Sequence, residues 1–403
     1  MRGVRVRLFC GLLAGVLAMG VSAEPKYDSG ASDSEIRIGQ TMAYTGPASA
    51  YGTIGRAQAA YFQMVNEHGG INGRRVTLIT LDDGYNPART LEQTRLLVEG
   101  HRVLAIFQSL GTATNAAVQR YLNTRKIPQL FVSTGASKWG DPTNFPWTMG
   151  WQPSYQVESA VYAKYILQTK PDAKIAVLYQ NDDYGNDYLL NLKAGLGAKA
   201  GMVVMEASYG VTDDSVDAQI VALRASGADT LFIFATPKFA AQAIAGTYDI
   251  GWKPLQFVNN VSSSITSVLQ PAGLDKAVDL ITSAYLKEPT DPQWSKDKAL
   301  KDWLEWMKQY YPQGDLADTF NVYGFAAAQT LAYVLKQCGN DLTRENVMRQ
   351  ASAIRNLELP LLLPGIRLNT SATDYFPIKQ LQLARFDGKR WVPFGDVLTT
   401  TSK

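Results

Sequence analysis

The sequence predicts an α/β fold made of two doubly wound domains, each a parallel sheet with helices on both faces. Short apolar or β-branched runs alternate with helical patterns from residue 36 onward, and a second series of the same kind begins near Ser154. Such interleaving is typical of parallel strands that are buried on both faces. A length of 403 residues also favours two domains over one.

The first series contains four predicted strands. They are IRIGQTMA (36–43), VTLITLDD (76–83), VLAIF (103–107) and PQLFV (128–132), with helices expected over 53–68, 87–100 and 113–125. Pro87 suits the first position of its helix, where no backbone donor is needed. Each of the first three strands is followed by a helix, which is the connection that parallel neighbours require.

The second series has the same alternation, but the C-terminal third departs from it. The series runs helix 154–169, strand 174–180, helix 186–200, strand 202–209, helix 215–226, strand 229–235, helix 237–250 and strand 255–259. Three helical segments follow at 296–311, 319–337 and 343–355, and then a hairpin pattern with Asp387-Gly388 as its turn. Because the extra helices can extend either domain, sequence order alone leaves the domain boundaries open.

The first 23 residues have the composition of a secretory signal. Three arginines precede an apolar stretch from Leu8 to Val21, and small residues lead to a cleavage site before Glu24. The apolar stretch is shorter than the roughly 20 residues that a membrane span needs. Removing these three arginines from the 39 Lys and Arg leaves 36, equal to the 36 Asp and Glu. A neutral mature chain gives no reason to expect a nucleic acid or an anionic membrane as partner.

Cysteine usage and hydropathy complete this description of the mature chain. Of the two cysteines, only Cys338 follows the signal segment, so no internal disulfide is expected, and Cys338 is interpreted as a small buried hydrophobic residue. No later stretch is long and apolar enough to cross a bilayer. We therefore expect a protein that is free in solution outside the cytoplasm.

Three loops at strand ends share one composition. They are YTGPASAYG (44–52), SLGTATNAA (109–117) and STGAS (133–137), all rich in glycine and hydroxyls and free of carboxylates. Ligands of open parallel sheets bind beyond the carboxyl ends of the strands, where helix N-termini present N–H groups. Serine and threonine also serve as helix caps, but three such loops in succession favour a site for a small polar or anionic group.

The sequence offers little support for an enzyme. Its two histidines, His68 and His101, are predicted at surface turns away from these loops. Zinc-type Cys/His spacing and a G-x-S-x-G elbow are both missing from the sequence. The run GLGAKAG (195–201) resembles a dinucleotide fingerprint but ends a helix, whereas the fingerprint must follow a strand. We therefore expect no catalytic residues, no metal and no cofactor.

Two long segments resemble a known family. IRIGQTMAYTGPASAYG together with VNEHGGINGRRVTLITLDDGYNPART resembles the opening of periplasmic ligand-binding proteins of ABC transporters, in the leucine/isoleucine/valine-binding branch. NDDYGNDYLLNLKAGLGAKAG resembles the opening of that family's second domain. The resemblance covers about residues 34–395 and implies the type I periplasmic binding fold, two Rossmann-like lobes joined by three crossovers. It assigns 34–153 and 284–361 to the first lobe and 154–283 and 362–398 to the second.

The resemblance also implies which residues hold a ligand in the cleft between the lobes. Candidates on the first lobe are Tyr51, Ser109, Gly111, Thr112, Ser133, Thr134, Gly135, Ala136 and Ser137. Candidates on the second lobe are Tyr184, Thr236 and Asn259 or Asn260. In this scheme first-lobe hydroxyls and N–H groups hold a ligand carboxylate, and second-lobe residues select the remainder.

One departure from the family bears on the ligand. Amino-acid-binding members hold the ligand ammonium with an acidic side chain from a late second-lobe loop, but the matching loops ATPKF (235–239) and NNVSSS (259–264) carry no carboxylate. Burying an ammonium without a counter-charge costs several kcal/mol. We therefore expect an aromatic or hydrophobic organic acid first, and a branched-chain amino acid or an amide second.

The segment 126–156 is similar to a subgroup associated with the uptake of aromatic or other organic acids. Its aromatic residues Trp139, Trp147, Trp151 and Tyr155 either stack on a ligand or pack the hinge, and packing is favoured for most of them. The expected function is that of a monomeric periplasmic binding protein that delivers a small molecule to an inner-membrane ABC permease. An exported enzyme and a ligand sensor of the same fold are the alternatives.

Overall fold

The computed structural model of the protein describes residues 24–399, so the predicted signal segment 1–23 lies outside the described residues. The strands are β1 (Lys26–Tyr27), β2 (Glu35–Met42), β3 (Arg75–Asp82), β4 (Ala105–Phe107), β5 (Gln129–Val132), β6 (Thr148–Gly150), β7 (Ile175–Gln180), β8 (Val203–Tyr209), β9 (Thr230–Phe234), β10 (Leu255–Val258), β11 (Ile281–Ala284), β12 (Asp341–Leu342), β13 (Gln380–Phe386) and β14 (Trp391–Thr399). The helices are α1 (Gly52–Glu67), α2 (Pro87–Arg95), α3 (Thr112–Thr124), α4 (Tyr155–Thr169), α5 (Asp183–Leu196), α6 (Asp217–Ala225), α7 (Pro237–Asp249), α8 (Gln270–Ala272), α9 (Lys298–Tyr310), α10 (Thr319–Cys338) and α11 (Arg344–Ala351).

Two large sheets organise the chain. The first has five parallel strands in the order β3-β2-β4-β5-β6. The second has seven strands in the order β14-β13-β11-β10-β9-β7-β8, in which β13 and β14 are antiparallel to their neighbours. We call the part of the chain packed on the five-stranded sheet lobe 1 and the part packed on the seven-stranded sheet lobe 2.

The helices of the C-terminal third pack on lobe 1. Gly324 of α10 lies against α1 so closely that a Cβ there would stand 2.7 Å from the Ile54 carbonyl oxygen. The Arg344 guanidinium of α11 donates to the Val103 and Leu104 carbonyls beside β4, each at 3.0 Å. The chain therefore passes between the lobes three times, after β6, after β11 and before β13.

The structure corrects the predicted elements in several places. Four short strands, β1, β6, β11 and β12, were not predicted, because two to four residues are too few to show an alternating pattern. The helix α5 begins at Asp183 instead of 186, since the Asp182 side chain accepts from the Tyr184 and Gly185 N–H groups and caps it there. It ends before Gly197, which has φ of +57°, a conformation that favours glycine.

The hairpin has a longer loop than the Asp-Gly dipeptide predicts. Phe386 pairs with Trp391, which leaves four residues between the strands. The Asp387 side chain accepts from the N–H groups of Lys389 and Arg390 at 2.8 and 2.9 Å and so closes the turn itself. Asp387 and Gly388 are in the loop as expected, but they do not form a two-residue turn.

Other predictions about single residues are confirmed. Cys338 is buried and forms no disulfide within the described chain, and His68 and His101 are exposed. Between residues 24 and 399, no helix has the length and apolar character that crossing a membrane requires.

Candidate functional site

The two lobes are in contact along the cleft between them. The Tyr51 hydroxyl, at the start of α1 in lobe 1, donates to the Val261 carbonyl of lobe 2 at 2.9 Å. The Asp318 carboxylate, next to the N-terminus of α10, accepts from the Ser264 and Ser267 hydroxyls of lobe 2, each at 2.9 Å. These bonds connect the two lobes directly, so the structure represents a closed arrangement of the lobes.

A second set of contacts links the loop after β5 to α5. The Asp187 carboxylate accepts from the backbone N–H and the hydroxyl of Ser137 at 2.9 and 3.1 Å, and Lys138 pairs with Asp183 at 2.6 Å. Ser137, a candidate ligand contact from the sequence, therefore uses its hydroxyl between the lobes. It does not line the cavity described next.

The closed cleft encloses a cavity. The centre of a water molecule can occupy about 100 Å³ of it, and one water needs roughly 10–15 Å³ by this measure. The cavity therefore accommodates a small organic molecule. Both lobes and the segments that join them contribute to its walls.

Seven of the sequence-predicted site residues line this cavity. They are Tyr51, Gly111, Thr112 and Ser133 from lobe 1, and Tyr184, Thr236 and Asn260 from lobe 2. These residues lie at the carboxyl ends of parallel strands or at the N-termini of the helices that follow, which is why two separate sheets bring them to one crevice.

Besides Ser137, five predicted residues are not among those that line the cavity, namely Ser109, Thr134, Gly135, Ala136 and Asn259. Ser109 is buried, and its hydroxyl accepts from the Thr41 N–H at 3.1 Å. The Thr134 hydroxyl lies 2.6 Å from that of Thr112 and 3.2 Å from that of Tyr155. The Ser109 and Thr134 hydroxyls therefore form hydrogen bonds within the protein. Thr134 thereby orients Thr112 and Tyr155, which both line the cavity.

Gly135, Ala136 and Asn259 also have structural partners. Gly135 packs against Tyr155, and Ala136 is buried. The Asn259 side chain is buried behind Tyr184: its amide nitrogen donates to carbonyls of lobe 2, and its oxygen accepts from the Tyr184 hydroxyl. The amide thereby fixes a tyrosine that lines the cavity.

The N-terminus of α3 is a polar feature that lobe 1 presents to the cavity. Its N-cap residue, Gly111, has φ of +96°, and no side chain caps the helix. A Cβ at Gly111 would stand 2.5 Å from the Tyr85 ring and 2.7 Å from the Thr114 hydroxyl. The glycine therefore allows the chain to turn closely under Tyr85 into the helix, leaving the positive end of the helix dipole without a capping group.

On lobe 2 a buried carboxyl group supports the site from behind. Glu158 accepts from the Asn260 backbone N–H at 2.7 Å and from its side-chain amide at 2.8 Å. The hydroxyls of Tyr162 and Tyr188 also donate to it, each at 2.6 Å. Burial raises the pKa of Glu158 in spite of these hydrogen bonds. Glu158 thus positions Asn260 without lining the cavity.

Aromatic rings that the sequence did not assign to the site form much of the wall. Tyr85, Tyr155, Tyr285, Phe320, Tyr323 and Trp391 all line it. Tyr155 stacks on Tyr188, with ring centroids 4.1 Å apart. These residues are dispersed from the loop after β3 to the final hairpin, so no local motif identifies them, although Tyr155 was a candidate for stacking.

The three tryptophans of the 126–156 segment do not line the cavity. Trp139 and Trp151 are fully buried, and the Trp151 indole donates to the Thr330 hydroxyl at 2.9 Å. Trp147 packs against the same apolar core. Within the closed structure these side chains pack the protein interior, which was the favoured of the two interpretations.

Glu288 corrects the expectation of a cleft without carboxylates. It lies just after β11 and lines the cavity. Burial raises the pKa of its carboxyl group to about 8, despite a hydrogen bond from Thr290, and the negative charges of Asp318 and Asp291 act in the same direction. Glu288 is not a candidate from the sequence because β11 is too short to be predicted, so the residues beyond that strand are not recognisable as part of the rim.

The basic side chains near Glu288 form ion pairs with other carboxylates. Lys287, its neighbour in sequence, pairs with Asp297 at 2.8 Å, and Arg390 pairs with Asp291 at 2.7 Å. No lysine or arginine from residues 24–399 lines the cavity. In the same part of the chain, no group of three or more His, Cys, Asp and Glu side chains is placed to hold a metal ion.

The sequence matches the model of a known protein family. A model of a periplasmic binding protein family matches residues 35–390. The chain belongs to that periplasmic binding protein family. It is 25% identical over 354 residues to the Leu/Ile/Val-binding protein homolog 1 of Brucella suis biovar 1 (strain 1330), covering 85% of this chain and 87% of that protein.

Solved structures of periplasmic binding proteins share the fold. A branched-chain amino acid ABC transporter protein from Thermus thermophilus, solved with bound valine, gives a TM-score of 0.82 at 17% identity over 91% of this chain and 97% of that one. A fatty acid ABC transporter substrate-binding protein from Thermomonospora curvata gives 0.78 at 22% identity over 93% and 95%. At these identities the likeness shows the fold alone, and it is the predicted type I periplasmic binding protein fold.

Membership of this family indicates the general function. Periplasmic binding proteins bind small molecules and deliver them to ABC permeases, and membership implies a periplasmic location. The relatives named above differ in what their names say they bind, so the ligand of this chain has to be inferred from its own cavity.

Proposed function

We propose that this periplasmic binding protein is the solute-binding component of an ABC importer and captures a small carboxylate-bearing ligand with a hydrophobic, preferably aromatic, body. The observation that carries the proposal is the enclosed cavity between the lobes, which combines an uncapped helix N-terminus with a wall of aromatic rings. On this proposal the mature chain is an exported monomer, and an inner-membrane permease receives the ligand from its closed form.

The carboxylate is proposed to bind at the N-terminus of α3. Thr112 lines the cavity at the first turn of α3 and supplies a backbone N–H group and a hydroxyl there, whereas the Gly111 N–H already donates to the Ser133 carbonyl at 3.2 Å. Anions at such a position gain about 0.3–2 kcal/mol from the helix dipole, and hydrogen bonds to a charged acceptor are stronger than neutral ones. Neutral donors can therefore hold a carboxylate where no lysine or arginine of the described chain is present.

The ligand body is proposed to lie among the aromatic and aliphatic side chains. Tyr85, Tyr155, Phe320 and Trp391 offer ring faces and edges, and Leu110 adds an aliphatic surface. Aromatic pairs add about 0.5–1.5 kcal/mol to the free energy of burial when their rings are offset or meet edge to face. An aromatic acid gains free energy both from burial of its ring and from contacts between that ring and the aromatic side chains.

The protonation state of Glu288 bears on the choice between the two ligand classes. With its pKa raised to about 8, it carries a proton at pH 7 and does not repel a monocarboxylate. The second-lobe loops 235–239 and 259–264 contain no acid to pair with an ammonium. For these reasons an organic acid remains our first candidate.

An α-amino acid is the second candidate, and Glu288 is the observation that favours it. A ligand ammonium beside this carboxyl group would stabilise its ionised form and lower its pKa. In that case binding near pH 7 would release a proton from Glu288. Binding of a monocarboxylate leaves Glu288 protonated.

The proposed mechanism is closure of the cleft around the ligand. The bonds from Tyr51 to Val261 and from Ser264 to Asp318 span the cleft, so opening the lobes must break them. A ligand that contacts both lobes favours the closed form by its greater affinity for that form.

Calorimetry and thermal unfolding of the mature chain test this proposal. Benzoate, phenylacetate, leucine and leucinamide are titrated at pH 7 in two buffers with different ionisation enthalpies, which reports proton release. We expect the aromatic acids to raise the melting temperature and to bind without proton release. Stabilisation by leucine with proton release would replace the first candidate by the second. Binding of leucinamide alone would contradict a carboxylate at the α3 N-terminus.

A further inference from the structure

Gln152 has an unused hydrogen-bond donor at the cavity. It lies between β6 and α4, where the chain first passes from lobe 1 to lobe 2, and its side chain lines the cavity with only 1% of its surface exposed. Its amide nitrogen, Nε2, has no hydrogen-bond partner within the described chain. A buried amide donor without a partner is costly, so its presence in a cavity wall points to a partner that the protein does not supply.

A chain of hydrogen bonds fixes the orientation of this amide. The Ser133 hydroxyl donates to the Tyr323 hydroxyl at 3.1 Å, which in turn donates to the Gln152 Oε1 atom at 2.9 Å. All three residues line the cavity. Because Oε1 is already engaged by Tyr323, the Nε2 atom is the part of the amide left for another acceptor.

We infer that Gln152 is a ligand-binding residue whose Nε2 donates a hydrogen bond to an oxygen atom of the ligand, held in place by Tyr323 and Ser133. The acceptor is an oxygen atom on the crossover side of the cavity, which in benzoate or leucine is a carboxylate oxygen. This inference rests on the proposed function, since it takes the cavity to be the ligand site. It adds a residue to that site that is not part of any loop identified from the sequence.

Substitution of Gln152 by methionine separates a binding role from a structural one. Methionine keeps the length and approximate volume of the side chain but has no donor. We expect Gln152→Met to bind benzoate or leucine, whichever the wild type binds, roughly ten- to a hundredfold more weakly, as for loss of a hydrogen bond to a charged acceptor. We expect the melting temperature of the ligand-free protein to change little, because removing the unpaired Nε2 donor offsets the loss of the Oε1 acceptor for the Tyr323 hydroxyl.

Tyr323→Phe is the matched positioning variant. It removes the hydroxyl that holds Oε1 but leaves Nε2 in the cavity, so we expect a loss of affinity several-fold smaller than that of Gln152→Met. Unchanged affinity in Gln152→Met would overturn the inference.

The ligand-free measurement keeps this test independent of the ligand. If neither benzoate nor leucine binds the wild type, the ligand proposed above is wrong, but the melting temperature still bears on Gln152. Tyr323→Phe loses the same bond to Oε1, so a ligand-free melting temperature of Gln152→Met below that of Tyr323→Phe would mean that Nε2 serves the fold, and the inference would then fail. A higher one would support an unused donor facing the cavity.

Discussion

The Asp318 carboxylate accepts a hydrogen bond from the Ser264 hydroxyl at 2.9 Å, and this contact joins the start of α10 in lobe 1 to lobe 2. Ser267 donates to the other carboxylate oxygen, also at 2.9 Å. Burial raises the pKa of Asp318, although the hydrogen bonds to it act in the opposite direction. A buried carboxyl group held by two hydroxyls of the other lobe is a feature of the closed arrangement.

The Ser267→Ala variant is expected to weaken ligand binding by about three- to tenfold. It removes one hydrogen bond between the lobes, which is worth about 0.5–1.5 kcal/mol, and this bond exists only while the lobes are in contact. Calorimetric titration with the strongest ligand of the panel measures the effect. Ser295→Ala, at an exposed serine outside the cleft, is the control and should bind like the wild type. Equal affinities for both variants would contradict a role of this contact in closure.

The Gly111→Ala variant is expected to abolish tight binding and to lower the free energy of unfolding by more than 1 kcal/mol. Its Cβ would meet the Tyr85 ring at 2.5 Å, and a non-glycine residue at this φ is strained in addition. Gly69→Ala is a matched control, since Gly69 has φ of +93° with no atom within 4 Å of the added Cβ. Urea unfolding and calorimetry of both variants separate the contact from the backbone strain. Identical losses of stability would mean that the Tyr85 contact has no effect.

The Glu158→Gln variant is expected to lose about 1–3 kcal/mol of stability and to bind ligand more weakly. The new amide nitrogen cannot accept from the Asn260 or tyrosine donors, so at least one buried donor is left unpaired. Glu345→Gln, at an exposed position of α11, controls for the loss of a charge. Unfolding curves and ligand titrations at pH 7 are compared. A fully stable variant with weak binding would assign Glu158 to the ligand site alone and contradict its supporting role.

Glu288 is expected to make stability fall as pH rises from about 5 to 8. In the folded protein it keeps its proton up to a pKa of about 8, against an ordinary value of 4.5. Between these values the folded state binds more protons than the unfolded state, so the free energy of unfolding decreases by at most about 1.4 kcal/mol per pH unit. The contribution is complete below about pH 4.5 and is lost as pH passes 8. Urea unfolding at pH 5.5, 7 and 8.5 measures the slope.

The Glu288→Gln variant isolates this contribution. It keeps a neutral side chain at all three pH values, so its stability should decrease less between pH 5.5 and 8.5 than that of the wild type. Glu345→Gln should keep the wild-type slope. If wild type and Glu288→Gln show the same slope, the carboxyl group is not protonated in the folded protein.

The regular elements were largely predictable because their signal is local. The helix α1 was expected over 53–68 and runs from Gly52 to Glu67, and α7 was expected over 237–250 and runs from Pro237 to Asp249. Hydrophobic periodicity and capping residues act within one or two turns. The strands β6 and β11 could not be predicted in this way because each is too short to show a period. Their place in a sheet depends on neighbours that are distant in sequence.

The candidate site was predictable only in part, for the same reason. Gly111 and Thr112 belong to a glycine- and hydroxyl-rich loop that both composition and family resemblance indicate. Tyr323 and Gln152 have no such context: one is an ordinary residue of a buried helix, and the other precedes a proline in a crossover. Their relation appears only when α10 packs on lobe 1 and brings the tyrosine hydroxyl to the amide.

The sequence by itself determined the two doubly wound lobes, the family, and the loops that form the rim of the cleft, because the patterns that specify strands and helices are formed by neighbouring residues. Tertiary structure decided which of these loop residues face the cavity and which serve the interior. It also brought Glu288, Gln152 and the aromatic wall to the ligand space. Burial and charge at a site depend on every segment that surrounds it. The order of the residues does not show which distant segments come together there.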